Sequence, residues 1–178
     1  MSYQAQVSGW HDFYIVAGTA AATLVGLLFV GLSLHLRIVV TTVEVKSLAR
    51  VTLANFGAVL IVGLFMVIPQ DSAAAGSQLI GAGLVSLVIA APSLVGAVRA
   101  GDWSLQMSRV QRVRVLLRFG LSAVGYLIIV AAGILLLASS FSAAFNLLLV
   151  TVVGLLIISL RNTWDLLVTV ADVTQNGE

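Results

Sequence analysis

Residues 17–36 have the sequence AGTAAATLVGLLFVGLSLHL, which contains no acidic side chain and no lysine or arginine. Small residues dominate its first half, and large aliphatic residues dominate its second half. A transmembrane helix needs about 20 predominantly apolar residues to cross a hydrocarbon core roughly 30 Å thick. The stretch has that length and that character, so it predicts a helix that spans a membrane.

The rest of the chain has the same character. Of its 178 residues, 60% are hydrophobic and 9% are charged, whereas a soluble domain carries about 25% charged residues. Four windows contain no charged side chain: 13–36, 51–70, 72–98 and 119–160. The last window would span about 63 Å as one helix, twice the bilayer, so the polar cluster at Ser139–Ser142 is expected to divide it. We therefore predict an all-α membrane protein with five transmembrane helices.

The domain organisation follows from the same windows. No segment rich in glycine and proline separates the hydrophobic stretches, and no remaining segment is long enough for a soluble domain. We expect a single transmembrane domain over residues 1–178. Its helices are predicted at approximately 13–36, 48–68, 76–98, 103–138 and 142–170, the fourth including a basic arm at its start.

The basic residues predict the orientation of the chain. In the five-helix topology, all nine lysines and arginines fall on one side of the membrane: Arg37, Lys46, Arg50, Arg99, Arg109, Arg112, Arg114, Arg118 and Arg161. The positive-inside rule makes that side cytoplasmic, which places the N-terminus outside and the C-terminus inside. No basic segment precedes the first span, so no cleavable signal peptide is expected.

The first helix has one face rich in small and hydroxyl-bearing residues. The members of this face are Gly18, Thr19, Ala22, Thr23, Gly26 and Ser33. In a membrane, small residues four apart let two helix backbones approach closely, and hydroxyl groups can hydrogen-bond across the contact. The face is predicted either to pack within its own bundle, or to form a subunit contact or the lining of a pore.

Two further residues stand out within the predicted spans. Asn55 lies about one turn into the second helix, where a lone amide usually joins two helices through a hydrogen bond, with ligand binding as the alternative. Pro92 lies in the third helix and lacks a backbone donor, so a kink is expected there. Such a kink is either a hinge for gating or a fixed feature of the helix shape.

The third loop and its flank carry a basic arm. Its arginines are Arg109, Arg112, Arg114 and Arg118. A juxtamembrane cluster of this kind interacts with anionic lipid at the cytoplasmic face, and the alternative is docking of a cytoplasmic protein. Nucleic acid is not an expected partner, because no aromatic residues are interleaved with the arginines.

Motifs for catalysis and tight ligand binding are missing from the sequence. The chain has two histidines and no cysteine, and it contains no H-E-x-x-H, G-x-S-x-G, Walker or dinucleotide-binding motif. Every acidic residue falls at or beyond the end of a predicted helix, whereas ion-coupled transporters place a carboxylate near the bilayer midplane. We therefore predict no enzyme activity, no catalytic residue, no metal and no cofactor.

The segment WHDFYIVAGTAAATLVGLLFVGLSLHL, residues 10–36, resembles a group of small, largely actinobacterial integral membrane proteins of unknown function. In that group a Trp-x-x-Phe entry leads into an Ala/Gly-rich helix that ends in LLFV-x-LSL. The resemblance implies a bacterial inner membrane as the location. It implies no catalytic residue and no mechanism.

These observations favour a small homo-oligomeric, channel-like membrane protein that passes ions or small solutes. A thin stripe of hydroxyls and glycines without buried charge suits weak passage at several sites better than tight, coupled binding. The alternative is a non-catalytic accessory or regulatory protein that binds another membrane complex through its helices or its basic arm.

Overall fold

The described part of the chain is a bundle of five long helices. A computed structural model describes residues 2–34, 43–103 and 109–175, and every regular element within these ranges is an α-helix. The helices are α1 (Tyr3–Leu34), α2 (Val43–Val67), α3 (Ser72–Trp103), α4 (Arg109–Leu137) and α5 (Phe141–Gln175). All five contain a span that is long and apolar enough to cross a membrane. The prediction of an all-α, multi-pass membrane protein with five such helices is confirmed.

Several helices are longer than their uncharged windows. α1 begins at Tyr3 rather than near residue 13. The ring of Tyr3 lies 5.7 Å from that of Phe141, centroid to centroid, so the early turns of α1 pack against α5. α3 continues to Trp103, which was expected in the first turn of the next helix. A charged residue marks the end of a hydrophobic window in the sequence. The helix itself can continue past that residue, beyond the part that is apolar enough to lie in a membrane.

The division of the last window is confirmed, and its geometry is specific. α4 ends at Leu137 and α5 begins at Phe141. The amide of Ser139 donates to the Leu136 carbonyl at 3.2 Å, and the amide of Ser140 donates to the Leu135 carbonyl at 2.9 Å. Ser139 has a φ of 60°, in the left-handed region. Together these features form a Schellman motif, which reverses the chain in three residues.

α2 occupies the centre of the bundle. It packs against α1, α3 and α5 and makes a smaller contact with α4, while the pairs α3–α4, α4–α5 and α1–α5 pack around it. Of the membrane-spanning windows, 56% of the residues are buried in α2 but 22% in α1. The helix that organises the bundle is therefore the second and not the first.

Glycines set the closest helix contact, between α3 and α4. A Cβ atom added to Gly76 would lie 2.8 Å from the Gly133 carbonyl oxygen, and one added to Gly83 would lie 2.9 Å from the Tyr126 carbonyl oxygen. Real Cβ atoms do not approach backbone so closely, so a larger residue at either position would force the two helices apart. In lipid, close backbone approach of this kind drives helix association.

Candidate functional site

The small-residue face of α1 is divided between two environments. Gly18 is buried on the side of α1 that packs into the bundle, together with Tyr14, Ala17, Ala21 and Leu28. The other five members of the face are exposed on the surface of the single chain: Thr19, Ala22, Thr23, Gly26 and Ser33. No atom lies within 4 Å of a Cβ built on Gly26. We call these five exposed residues the outer face of α1.

Gly18 contacts a glycine of the central helix. A Cβ atom added to Gly63 would lie 3.1 Å from the Cα of Gly18 and 3.0 Å from the Tyr14 carbonyl oxygen. The backbones of α1 and α2 therefore meet at this point without an intervening side chain. This contact lies within the chain, so at Gly18 the face packs in its own bundle.

Two of the three hydroxyl groups on the outer face form hydrogen bonds within their own helix. The Thr23 hydroxyl donates to the Thr19 carbonyl at 2.9 Å, and the Ser33 hydroxyl donates to the Val30 carbonyl at 2.8 Å. Each hydroxyl proton is thus satisfied without a neighbouring helix. Each oxygen retains lone pairs that can still accept a hydrogen bond or approach a cation.

A shallow apolar groove runs beside this face. It has a volume of about 540 Å³ and is lined by Ile15, Val16, Thr19, Ala20, Thr23 and Leu24. The two threonines belong to both surfaces, so the groove and the outer face are continuous.

Asn55 lies at the centre of a buried polar cluster. Its side-chain amide donates to the Ser122 hydroxyl at 3.0 Å, and the Tyr126 hydroxyl donates to its carbonyl oxygen at 2.5 Å. Asn55 and Tyr126 are completely buried, and Ser122 is 1% exposed. The cluster connects α2 to α4, the pair of helices with the smaller backbone contact. Its geometry is that of an interhelical link with both ends of the amide occupied.

Pro92 lies on the exposed side of α3, which continues as a helix through it to Trp103. The next residue, Ser93, is 5% exposed, and its hydroxyl oxygen has no hydrogen-bond partner among the described residues. The proline and the buried hydroxyl mark a place where the hydrogen bonding of α3 is incomplete. Its assignment as a hinge stays a prediction.

The basic arm occupies the first turns of α4. Arg109, Arg112, Arg114 and Arg118 lie on the helical backbone that begins at Arg109. Their side chains fall outside the described part of the structure. The assignment of the arm to anionic lipid or to a protein partner therefore stays a prediction.

The described residues contain no group of three or more histidine, cysteine, aspartate or glutamate side chains that could hold a metal ion. Several buried polar atoms in the described ranges have no hydrogen-bond partner: the Tyr14 hydroxyl, the Gln78 carbonyl oxygen, the hydroxyls of Ser93 and Ser159, and the Asn162 amide nitrogen. These atoms are spread over three helices, α1, α3 and α5, and no charged residue is among the buried residues of the described ranges.

Sequence reasoning missed the glycines that hold the bundle together. Gly76 and Gly83 of α3 and Gly133 of α4 contact backbone across the helix pair, and Gly125 lies against the Leu155 side chain of α5. Gly76 and Gly83 are seven residues apart, so they lie on one side of α3 at helical period. That seven-residue spacing is visible in the sequence and is the signal for this contact.

No protein-family model, no curated protein and no solved structure matches the chain. The resemblance of residues 10–36 to actinobacterial membrane proteins therefore stays a prediction. The described residues contain five helices suited to a multi-pass membrane protein.

Proposed function

We propose that the chain is a subunit of a small homo-oligomeric membrane channel that passes ions or small solutes. The observation that carries this proposal is the outer face of α1. Ala22 and Gly26 are exposed one turn apart, and no atom lies near a Cβ at Gly26. The absence of large side chains here gives little advantage for packing against lipid tails. It does allow the backbone of a second helix to pack closely against α1.

The conduction path lies between subunits and not inside one. The interior of the single bundle is filled by α2, and side chains such as Phe56, Val62, Tyr126 and Leu148 are almost wholly buried there. A path along α1 would be lined on one side by Thr19 and Thr23. Their oxygens accept hydrogen bonds and carry no charge, which suits weak binding and rapid release of a passing ion or solute.

A second candidate is a non-catalytic accessory protein that binds another membrane complex through the same face. The specific observation in its favour is that the hydroxyls of Thr23 and Ser33 are already satisfied by their own helix. At these two residues the face can then lie against an apolar partner without leaving the hydroxyl donor unpaired. In this case the partner helix, and not a second copy of α1, would cover Ala22 and Gly26.

The membrane and the orientation belong to the same proposal. We place the chain in the bacterial inner membrane, with the N-terminus outside and the C-terminus in the cytoplasm, because all nine basic residues fall on one side of the five spans. A cysteine at Ser72 or Ser142 should react with an impermeant thiol reagent in intact cells, and one at Ser104 should not. Labelling at Ser104 alone would reverse the orientation.

The oligomer is tested with Gly26→Leu and a matched control. Gly81 is likewise an exposed glycine with no atom within 4 Å of its Cβ, but it lies on α3. The mass of the protein in mild detergent and solute flux into liposomes are measured for both variants. We expect a defined oligomer with flux for the native chain and for Gly81→Leu, and a folded monomer without flux for Gly26→Leu.

Two other results would decide against the channel. The native chain could be monomeric, give no solute flux in liposomes and purify with one stoichiometric membrane protein. That result would identify it as the accessory protein. An oligomer that keeps its mass in Gly26→Leu does not assemble through the outer face of α1.

A further inference from the structure

α2 is buried on most of its circumference but open along one narrow strip. The strip consists of Lys46, Arg50, Leu53, Gly57, Leu60 and Leu64, which follow one another at alternating intervals of four and three residues. That spacing places them on a single side of the helix. Lys46, Arg50 and Leu64 are exposed, and the three residues between them are partly buried. We call this set the open strip of α2.

The open strip exists because two neighbours of α2 leave a gap. α1 and α3 both pack against α2, but within the described residues they hardly touch each other. α2 therefore forms the floor of a cleft with α1 and α3 as its sides. At the middle of the floor stands Gly57, where an added Cβ would find no atom within 4 Å. The glycine lowers the floor where a side chain would otherwise fill it.

The two ends of the strip differ in character. Lys46 and Arg50, one turn apart, carry two positive charges at the membrane boundary where α2 begins. The residues beyond them are apolar, and no acidic residue lies on the strip. Basic side chains at this depth attract anionic lipid headgroups, and each contributes about fivefold to the affinity.

The length of the apolar part fits one leaflet. From Arg50 to Leu60 the helix rises about 15 Å, because each residue adds about 1.5 Å. Half of a hydrocarbon core roughly 30 Å thick has the same depth. An acyl chain whose headgroup lies at Arg50 therefore reaches Leu60 and passes directly over Gly57.

We propose that the open strip of α2 binds one anionic phospholipid. The phosphate lies between Lys46 and Arg50, and one acyl chain lies along Leu53, Gly57 and Leu60, between α1 and α3. Charge complementarity selects a lipid over a second apolar helix, since a phospholipid joins an anionic group and an acyl chain at the spacing of this strip. The site is separate from the outer face of α1 and does not depend on channel function.

Native mass spectrometry of the full chain in mild detergent tests the site. The protein is titrated with phosphatidylglycerol, with phosphatidylcholine of the same acyl chains, and with glycerol phosphate, which has no acyl chain. We expect one phosphatidylglycerol to bind at a concentration at least tenfold lower than the choline lipid, and glycerol phosphate not to bind. Equal binding of the two lipids, or equal binding of glycerol phosphate, would overturn the proposal.

Two pairs of variants separate the headgroup from the acyl chain. Arg50→Gln should lower the affinity for phosphatidylglycerol about fivefold, because it removes one basic contact. The double variant Lys46→Gln/Arg50→Gln removes both contacts and should lower that affinity about 25-fold. Arg161→Gln is the control, because Arg161 is an exposed arginine on α5. An equal loss in Arg161→Gln would mean that the lipid responds only to overall charge, and no site exists.

Gly57→Leu fills the floor of the cleft and should also lower the affinity for phosphatidylglycerol severalfold. Gly154→Leu on α5 is its control, because Gly154 is partly buried and has the same open surroundings. A Cβ at either position meets no atom within 4 Å, so both variants are expected to fold. Equal binding by the two variants would exclude the acyl chain from the strip. A change in subunit number in Gly57→Leu would show that a second copy, and not a lipid, covers it.

Discussion

α1 and α2 are similar in composition and opposite in role. Both contain a span of high mean hydropathy, 2.2 in α1 and 1.9 in α2, and they touch at the pair Gly18 and Gly63. Yet α2 is surrounded by four helices, whereas most of α1 lies on the surface of the single chain. The helix with the more conspicuous small-residue pattern is the peripheral one. In a membrane, a small-residue pattern shows that a helix can be approached closely, but it does not show by what.

The largest effect is expected where the two helices meet. In Gly63→Leu, even the first side-chain carbon would lie 3.0 Å from the Tyr14 carbonyl oxygen and 3.1 Å from the Cα of Gly18. Backbone cannot yield as a side chain can, so α1 must move away from α2. We expect a loss of about 1–3 kcal/mol in the free energy of unfolding, measured in detergent by thermal or denaturant unfolding.

Gly57→Leu is the control for that loss, because Gly57 lies on the open side of the same helix. Its free energy of unfolding should lie within about 0.5 kcal/mol of that of the native chain. Equal destabilisation by the two leucines would mean that α2 is sensitive to any added volume, and the contrast between its two sides would be lost.

The next effect concerns the polar link that makes α2 central. In Asn55→Leu, the Tyr126 hydroxyl loses the acceptor that Asn55 provides, and the Ser122 hydroxyl no longer accepts a hydrogen bond from α2. We expect a loss of about 0.6–2 kcal/mol in stability, the range for hydrogen bonds between membrane helices. A double-mutant cycle with Tyr126→Phe measures the coupling directly. Additive losses would show that the two side chains do not stabilise each other.

A smaller effect of opposite sign is expected at the turn between α4 and α5. Ser139 adopts a φ of 60°, a conformation that glycine reaches without a steric penalty. Ser139→Gly should therefore stabilise the bundle by about 0.5–1 kcal/mol, offset in part by the greater freedom of glycine in the unfolded chain. The midpoint of thermal unfolding should rise, and Ser140→Gly provides the comparison. A lower midpoint for Ser139→Gly would mean that the serine side chain is needed.

The smallest effect on stability is expected on the outer face of α1. Gly26→Leu adds volume where no atom of the chain lies within 4 Å, so the unfolding of the monomer should change by less than about 0.5 kcal/mol. Only the subunit number should respond. A large loss of stability in dilute detergent, without any change in mass, would place an intramolecular contact at Gly26.

The sequence predicts the number of helices well and their arrangement poorly. Length and hydropathy identify each span, and the excess length of the 119–160 window reveals the turn at Ser139. Which helix lies at the centre is not readable in the same way, because a side chain facing lipid and one facing the bundle are equally apolar. In a soluble protein the polar face of each helix would identify its exposed side. The helices of this chain have no such polar face along their membrane spans.

The polar residues show the same limit. Asn55 was recognisable as an interhelical amide from its type and depth, but its partners were not, since Ser122 and Tyr126 are ordinary residues of a helix two spans later. The outer face of α1 was recognisable as a set of small residues. That only Gly18 would face inward depended on where α2 lies, which no local pattern encodes.

The hydrogen bond from Asn55 to Ser122 has a consequence for the synthesis of the chain. The two residues are 67 positions apart, and a ribosome that adds about 5–20 residues per second needs about 3–13 s to make that interval. For this time α2 is already made while the helix that satisfies its amide is not. The most buried helix of the finished protein is thus made before the helix that satisfies its amide, and during that interval of biogenesis Asn55 is a polar group without its interhelical hydrogen bond.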